Sequence, residues 1–359
     1  MTQVDDLDRN ACPVPRSDYE RVLLGHGSGG KLSADLIQRV FLSGLGHEKL
    51  STLEDAATLS LDPPGVPNQV QRISFTTDSF VVKPLFFPGG DIGKLAVNGT
   101  VNDLAVSGAE PLCLSAAFIL EEGFEIERLQ QIVASMRAEC QLAGVTLVTG
   151  DTKVVDRGKG DEVFITTTGI GLLRPHFQLS IQNARPGDRV IVSGTIGDHG
   201  ITIMSTREGI QFETELESDT APLNDLTRTM LNACPSIRLM RDPTRGGISS
   251  TLNELATASG VGIELDEATL PVRCEVRSAC EMLGLDPMYV ANEGKLVVVV
   301  PQSDSERLLA TMRDHPLGRD AVVIGKVVDD HAGMVVMRSL IGGQRVVTML
   351  AGEQLPRIC

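Results

Sequence analysis

Tryptophan is absent from this chain of 359 residues, and aromatic residues of all kinds make up 3%. Any core must therefore be filled by aliphatic side chains. No two of the seven cysteines (Cys12, Cys113, Cys140, Cys234, Cys274, Cys280, Cys359) form a CxxC pair, so neither a zinc site nor a disulfide framework is signalled. Positive charge is also short. The formal net charge of -15 argues against a nucleic-acid partner, which would want a basic face. It leaves nucleotides open, because acidic residues can hold the Mg²⁺ that holds phosphates. No apolar run approaches membrane-spanning length, and residues 1–10 are polar and acidic, unlike a signal peptide. The expectation is a soluble cytoplasmic protein with no membrane partner.

What is present fits an ordinary globular chain of about two domains: 42% hydrophobic and 22% charged residues. Residues 1–20 carry no periodic pattern. Gly27-Ser28-Gly29-Gly30-Lys31 then leads into a helix expected over 33–42. A glycine-rich stretch before a helix can wrap phosphates with backbone N–H groups. The spacing is not that of a P-loop, and a flexible linker remains the other reading. A strand over 72–77 runs into Asp78. The helix expected over 91–107 is apolar nearly all round, which marks it as buried. Asp91, Asn98 and Asn102 fall on one stripe of it. The stripe is either an internal hydrogen-bond network or a site lined by Asn98, Asn102 and Asp103.

A strand over 112–119 precedes an amphipathic helix over 125–142, which places Cys140 on the core face and stops at Gly144. A short strand over 145–149 should end in a loop, Gly150-Asp151-Thr152-Lys153. Residues 174–188 read as a linker, and a strand over 189–194 opens a second domain. Asp242 and the Gly246-Gly247 pair precede a helix running to 259, a geometry suited to anions. Asn292-Glu293-Gly294-Lys295 leads into a strand over 296–300, a helix over 303–313 and a strand over 321–328, a β-α-β run. The chain so divides into 1–40 with the glycine-rich loop, 41–174, 188–341, and a tail, 342–359, that ends in Cys359.

Asp55, Asp78, Asp103, Asp151 and Asp242 come from distant parts of the chain, and most stand beside a glycine or at a strand end. With two glycine-rich segments they suggest an Mg²⁺–ATP site in a cleft between two α/β domains, since Mg²⁺ selects hard oxygen ligands. The terminal thiol stands close to its own α-carboxylate, which disfavours the thiolate. Its sulfur must either be activated by the fold or arrive already loaded.

Phe75-Thr76-Thr77-Asp78-Ser79, Asn98 to Asp103, Gly150-Asp151-Thr152-Lys153, Asp242 to Gly247 and the terminal Pro356-Arg357-Ile358-Cys359 together resemble the HypE family. These are the carbamoyl dehydratases of nickel–iron hydrogenase maturation, within the aminoimidazole-ribonucleotide-synthetase-like ATP-binding superfamily. The resemblance covers about 22–359 and implies a two-domain α/β (α+β) fold with a flexible tail, paired as a homodimer. It implies ATP and Mg²⁺ as cofactors, with Asp55, Asp78, Asp103 and Asp242 on the metal. Gly27, Ser28, Gly29, Gly30 and Lys31 would cover the phosphates, with Asn98, Asn102, Asp151, Thr152, Gly246 and Gly247 also contributing to the nucleotide site. Cys359 would carry a carbamoyl group from the carbamoyltransferase HypF. ATP would dehydrate it to a thiocyanate, and the cyano group would pass to iron on a HypC–HypD complex. Lys153 and Glu293 match polar residues near the tail cysteine; as a pair they would lower the thiol pKa and relay protons, or else form an inter-domain salt bridge. The alternative is another ATP-dependent synthetase or kinase of the superfamily. The first loop also looks like that of selenophosphate synthetases, but it has serine and glycine where those enzymes have cysteine or selenocysteine.

Overall fold

The structure is a computed structural model that describes residues 21–45, 52–61, 71–174, 177–210, 216–350 and 357–359. The first half is built on a five-stranded sheet, in the order Ala57–Leu61, Gln71–Phe80, Val163–Leu173, Ala109–Glu121, Thr146–Val155. Only the last pair is parallel. Helices Ile92–Val106 and Ile126–Ala143 cover one face. The first begins where the Asp91 carboxylate accepts the Lys94 N–H at 2.9 Å, satisfying one of the orphan donors of the first turn. The second ends at Gly144, whose φ of 69° is the left-handed cap that glycine adopts without cost. Cys140 is buried on its inner side, as the periodicity implies. Leu59, Phe75, Ile119 and Leu172 stay exposed on the opposite face of the sheet.

Two expectations fail in this sheet. Gly150-Asp151-Thr152-Lys153 is not a loop: the strand runs through it from Thr146 to Val155, paired with Cys113 to Glu121. Glycine is there because a Cβ at 150 would stand 2.3 Å from the Ala116 carbonyl oxygen, beside the register shift at Leu114/Ser115. Asp78 likewise lies inside a strand that continues to Phe80.

The second half holds a mixed seven-stranded sheet, ordered Gln344–Val347, Val335–Arg338, Gly262–Asp266, Val322–Val328, Arg189–Val192, Val297–Val300, Leu239–Arg241. Val297–Val300 is buried at every residue, which explains its unbroken apolar run. The β-α-β run through helix Gln302–Arg313 is present, with Arg189–Val192 lying between its two strands. Residues 177–188 are no free linker, since Ile181 and Ala184 are buried in this second core. Helices Asp198–Glu208, Asn224–Ala233 and Cys274–Leu283 and strand Gly262–Asp266 are additions to the sequence reading.

The halves meet along the polar stripe of helix Ile92–Val106. Asn102 donates to the carbonyls of Ala221 (3.1 Å) and Glu293 (2.9 Å) and accepts from the Leu223 N–H (2.8 Å). Those bonds use both amide protons and the oxygen, so Asn102 is a structural tie between the halves. Asn98 is fully buried, with its amide 3.4 Å from the Thr220 hydroxyl. Residues 1–20 and 351–356, including Pro356, lie outside the described residues.

Candidate active site

Three acids arrive from three directions. Asp55 precedes strand Ala57–Leu61, Asp103 sits on helix Ile92–Val106, and Asp242 follows strand Leu239–Arg241. One carboxylate oxygen from each lies within 4.8 Å of the others. Desolvation pushes Asp55 and Asp103 well above the usual carboxylate range, and mutual repulsion adds to it. Asp242 is pushed up to about 6, again first by burial. Arg241 offsets part of the charge from 2.9 Å on Asp55, and the Thr76 hydroxyl donates to Asp103 at 2.6 Å. Asp78 stands beside this trio rather than within it, 3.8 Å from Arg245.

The glycine-rich loop forms a 3-10 turn, Leu24–Gly27, before a helix that starts at Lys31 and gives way after Leu36 to a π-helix, Ile37–Leu42. The expected helix over 33–42 is thus displaced and interrupted. Gly29, with φ +73°, packs so tightly on the 245–246 turn that a Cβ would come 2.5 Å from the Arg245 Cβ. The Lys31 N–H donates to the Leu350 carbonyl at 2.8 Å, holding the loop down. Beneath it lies a cavity of 230 Å³ lined by Gly27, Gly29, Asp55, Arg241 and Asp242 among others. It also reaches Ser250, on the first turn of the helix that starts at Gly247; the Ser250 hydroxyl is buried without a hydrogen-bond partner.

The chain's last residues lie in the adjoining cleft, a cavity of 650 Å³ between the apolar wall of Ile37, Phe41 and Leu45 and the acids. The Cys359 terminal carboxylate accepts from the Val81 N–H at 3.1 Å, and the Arg357 carbonyl accepts from the Lys83 N–H at 3.2 Å. The tail backbone so runs antiparallel to the segment that follows strand Gln71–Phe80. Ile358 is buried in the first core. Cys359 lines this cleft together with Glu293, Arg245 and Asp78, and its thiol lies in reach of all three. Burial, then the Glu293 charge, raises its pKa, with Arg245 opposing. Burial and the acids Asp219, Asp78 and Asp242 hold Glu293 well above the usual range as well.

The fold therefore brings together Asp55, Asp78, Asp103, Asp242, Glu293, Cys359 and the loops at Gly27–Gly30 and Gly246–Gly247. It does not bring Asp151, Thr152 or Lys153 to them within one chain. Lys153 pairs with Asp151 at 2.7 Å on the edge strand, and two strands separate that strand from Asp78. Lys153 and Asp78 also have opposite parity along the paired rows, so they point to opposite faces of the sheet. Within one chain the expected Lys153–Glu293 pair does not form, and the thiol pKa moves up rather than down, first because the sulfur is buried and then because a carboxyl stands beside it. Sequence reasoning passed over Arg245, whose signal was its place between Asp242 and the glycine pair. It also passed over Asn292, which fixes this turn by donating to the Pro243 carbonyl at 2.9 Å.

Comparison with known proteins bears on this geometry. Residues 53–173 match the family model for the N-terminal domain of AIR synthase related proteins, and residues 185–338 match that for the C-terminal domain. Fold and acid-lined cleft together define an AIR synthase related protein. The carbamoyl dehydratase HypE of Azotobacter vinelandii is 56% identical over 334 residues, covering 93% of this chain and 96% of the relative. A solved HypE–HypF complex shares 49% identity at a TM-score of 0.81, covering 88% of this chain and 99% of that one. A structure of HypE in complex with ATP shares 47% identity at a TM-score of 0.78, covering 94% and 100%. The chain belongs to the HypE family of carbamoyl dehydratases.

Proposed function

We propose that this chain dehydrates a carbamoyl group carried on its own Cys359 to an S-cyanate at the expense of ATP, supplying the cyanide ligand of the nickel–iron hydrogenase iron. The observation that carries this reading is the chain's last sulfur lodged against Glu293, in the cleft that also holds the acid trio. A kinase or synthetase for a free small molecule would need that space for its substrate.

The carbamoyl oxygen leaves as phosphate, and the nitrogen loses both its protons. A docked free thiol is held protonated here, so the sulfur is suited to arriving loaded rather than to being activated in place. Glu293, whose pKa is raised by burial and by the neighbouring acids, would take a proton from the carbamoyl nitrogen. Arg245 faces Cys359 and Asp78 and offsets charge that develops between them. The buried Ile358 and the paired tail backbone exclude water from one side. Asp55, Asp103 and Asp242 would hold Mg²⁺: their oxygens are hard donors and their mutual repulsion favours a cation. Bound there, Mg²⁺ would neutralise phosphate charge. The loops at Gly27–Gly30 and Gly246–Gly247 would offer backbone N–H groups to phosphates.

The partners follow the same reading: a HypF-type carbamoyltransferase as donor, a HypC–HypD complex as acceptor, and a second copy of the chain. The exposed face with Leu59, Phe75, Ile119 and Leu172 supports the second copy. Lys153 and Asp151 lie on that face and enter the proposal as residues a second copy would contribute.

The test is mass spectrometry of the C-terminal peptide after loading by the carbamoyl donor. An adduct of about 43 Da is expected on Cys359, falling by about 18 Da, one water, when ATP is added. An adduct on another cysteine, or one that ATP leaves unchanged, overturns the reading.

A further inference from the structure

Helix Asp198–Glu208 was invisible in the sequence, yet it touches the docked tail at both ends. His199, Ile203 and Arg207 form one i, i+4, i+8 row along it. His199 is fully buried, and both its ring nitrogens are engaged. Nε2 lies 2.9 Å from the Ile358 carbonyl oxygen and Nδ1 lies 2.7 Å from the Ser218 hydroxyl. The carbonyl only accepts, so Nε2 carries the proton and Nδ1 accepts from Ser218. Ser218 is oriented in turn by the Thr220 N–H at 3.2 Å. Phe87 packs edge-on against the ring, with centroids 5.7 Å apart. Burial lowers the His199 pKa and keeps the ring neutral, as this chain of bonds requires. Ile203 shares the first core with Ile358. Arg207, at the far end, donates to the Arg357 carbonyl at 3.0 Å and to the Lys83 carbonyl at 2.7 Å.

We infer that the His199–Ile203–Arg207 ridge is the dock that positions the tail, with His199 and Arg207 as positioning residues that set the Cys359 sulfur against Glu293. The inference rests on the carrier reading of Cys359 and adds to it a receptor for the tail backbone. Both polar contacts go to main-chain carbonyls, so the dock reads the path of the backbone. Two tail side chains are held as well, Ile358 by the apolar core and Arg357 by an ion pair with Asp161. The load on the sulfur touches neither contact, so a free, carbamoylated or cyanated tail would be held alike.

The experiment uses the full chain without donor or nucleotide, so it stays readable whatever becomes of the dehydration chemistry. His199→Phe keeps an aromatic ring and removes the donor; His199→Gln restores an amide donor; Arg207→Met removes the second contact. The readouts are the iodoacetamide alkylation rate of Cys359, hydrogen exchange of the Val81 and Lys83 amides, and the melting temperature. Alkylation and exchange should rise about 5- to 10-fold in His199→Phe, the worth of one lost hydrogen bond. They should return toward wild type in His199→Gln and rise again in Arg207→Met at an unchanged melting temperature. Unchanged alkylation in Arg207→Met together with no difference between the Phe and Gln variants overturns the inference. If His199→Phe does not fold, Arg207→Met decides alone.

Discussion

At the scale of single residues, the acids of the cleft carry the sharpest consequence. Asp55, Asp103 and Asp242 are all raised by burial, Asp242 to about 6. An acid whose pKa is higher folded than unfolded costs nothing while both states are protonated. The penalty sets in above the ordinary carboxylate range near 4 and is complete once the pH passes the folded value. Metal-free protein should therefore gain stability from Asp242→Asn, and the gain should grow as the pH rises from about 4 to about 7. Added Mg²⁺ should stabilise the wild type over the same window and do little for the variant. Melting temperatures on a pH grid, with and without Mg²⁺, check both statements; a variant difference that is flat with pH would remove Asp242 from the raised cluster. Such stored repulsion fits a binding site better than a structural one, since removing it would be easy for a fold that did not use it.

At the scale of elements, helix Ile92–Val106 was readable because its signals are local: an Asp cap, apolar residues all round, and a glycine just past the end. The meaning of its polar stripe was not readable, because Asn102 is explained by partners more than a hundred residues away. Asn102→Ala strands two carbonyls and one N–H at the seam. The expected loss is about 2–4 kcal/mol, measured by denaturant unfolding. Were Asn102 a nucleotide ligand instead, the variant would keep its stability and lose nucleotide affinity. The strand Thr146–Val155 shows the opposite failure. Its alternating Thr149, Asp151 and Lys153 was there to be seen, but Gly150 was taken as a turn when it serves a close backbone approach. The acids Asp55, Asp103 and Asp242 could be named from the resemblance to the HypE family. Which of them converge depends on strand order, and no local pattern carries that.

At the scale of the whole molecule, the position of Lys153 distinguishes one copy from two. If a second copy supplies Lys153, then Lys153→Ala and Glu293→Gln should each be inactive alone. Mixed after subunit exchange, they should recover roughly a quarter of wild-type activity, since half the dimers are mixed and each has one intact site. No recovery, with mixed dimers present by native mass spectrometry, would take Lys153 out of the reaction. The second fold-wide consequence lies in Ile358, which is at once the residue before the carrier sulfur and a member of the first core. Burying such a side chain contributes about 1.5–3 kcal/mol. By that contribution alone the tail would be free in roughly one to several molecules per hundred, and its hydrogen bonds to His199, Arg207, Val81 and Lys83 make such openings rarer. A donor protein could wait for those rare openings, or it could offer an apolar socket of its own for Ile358 and draw the tail out. Handing over the sulfur then becomes a competition between two hydrophobic sockets for one isoleucine.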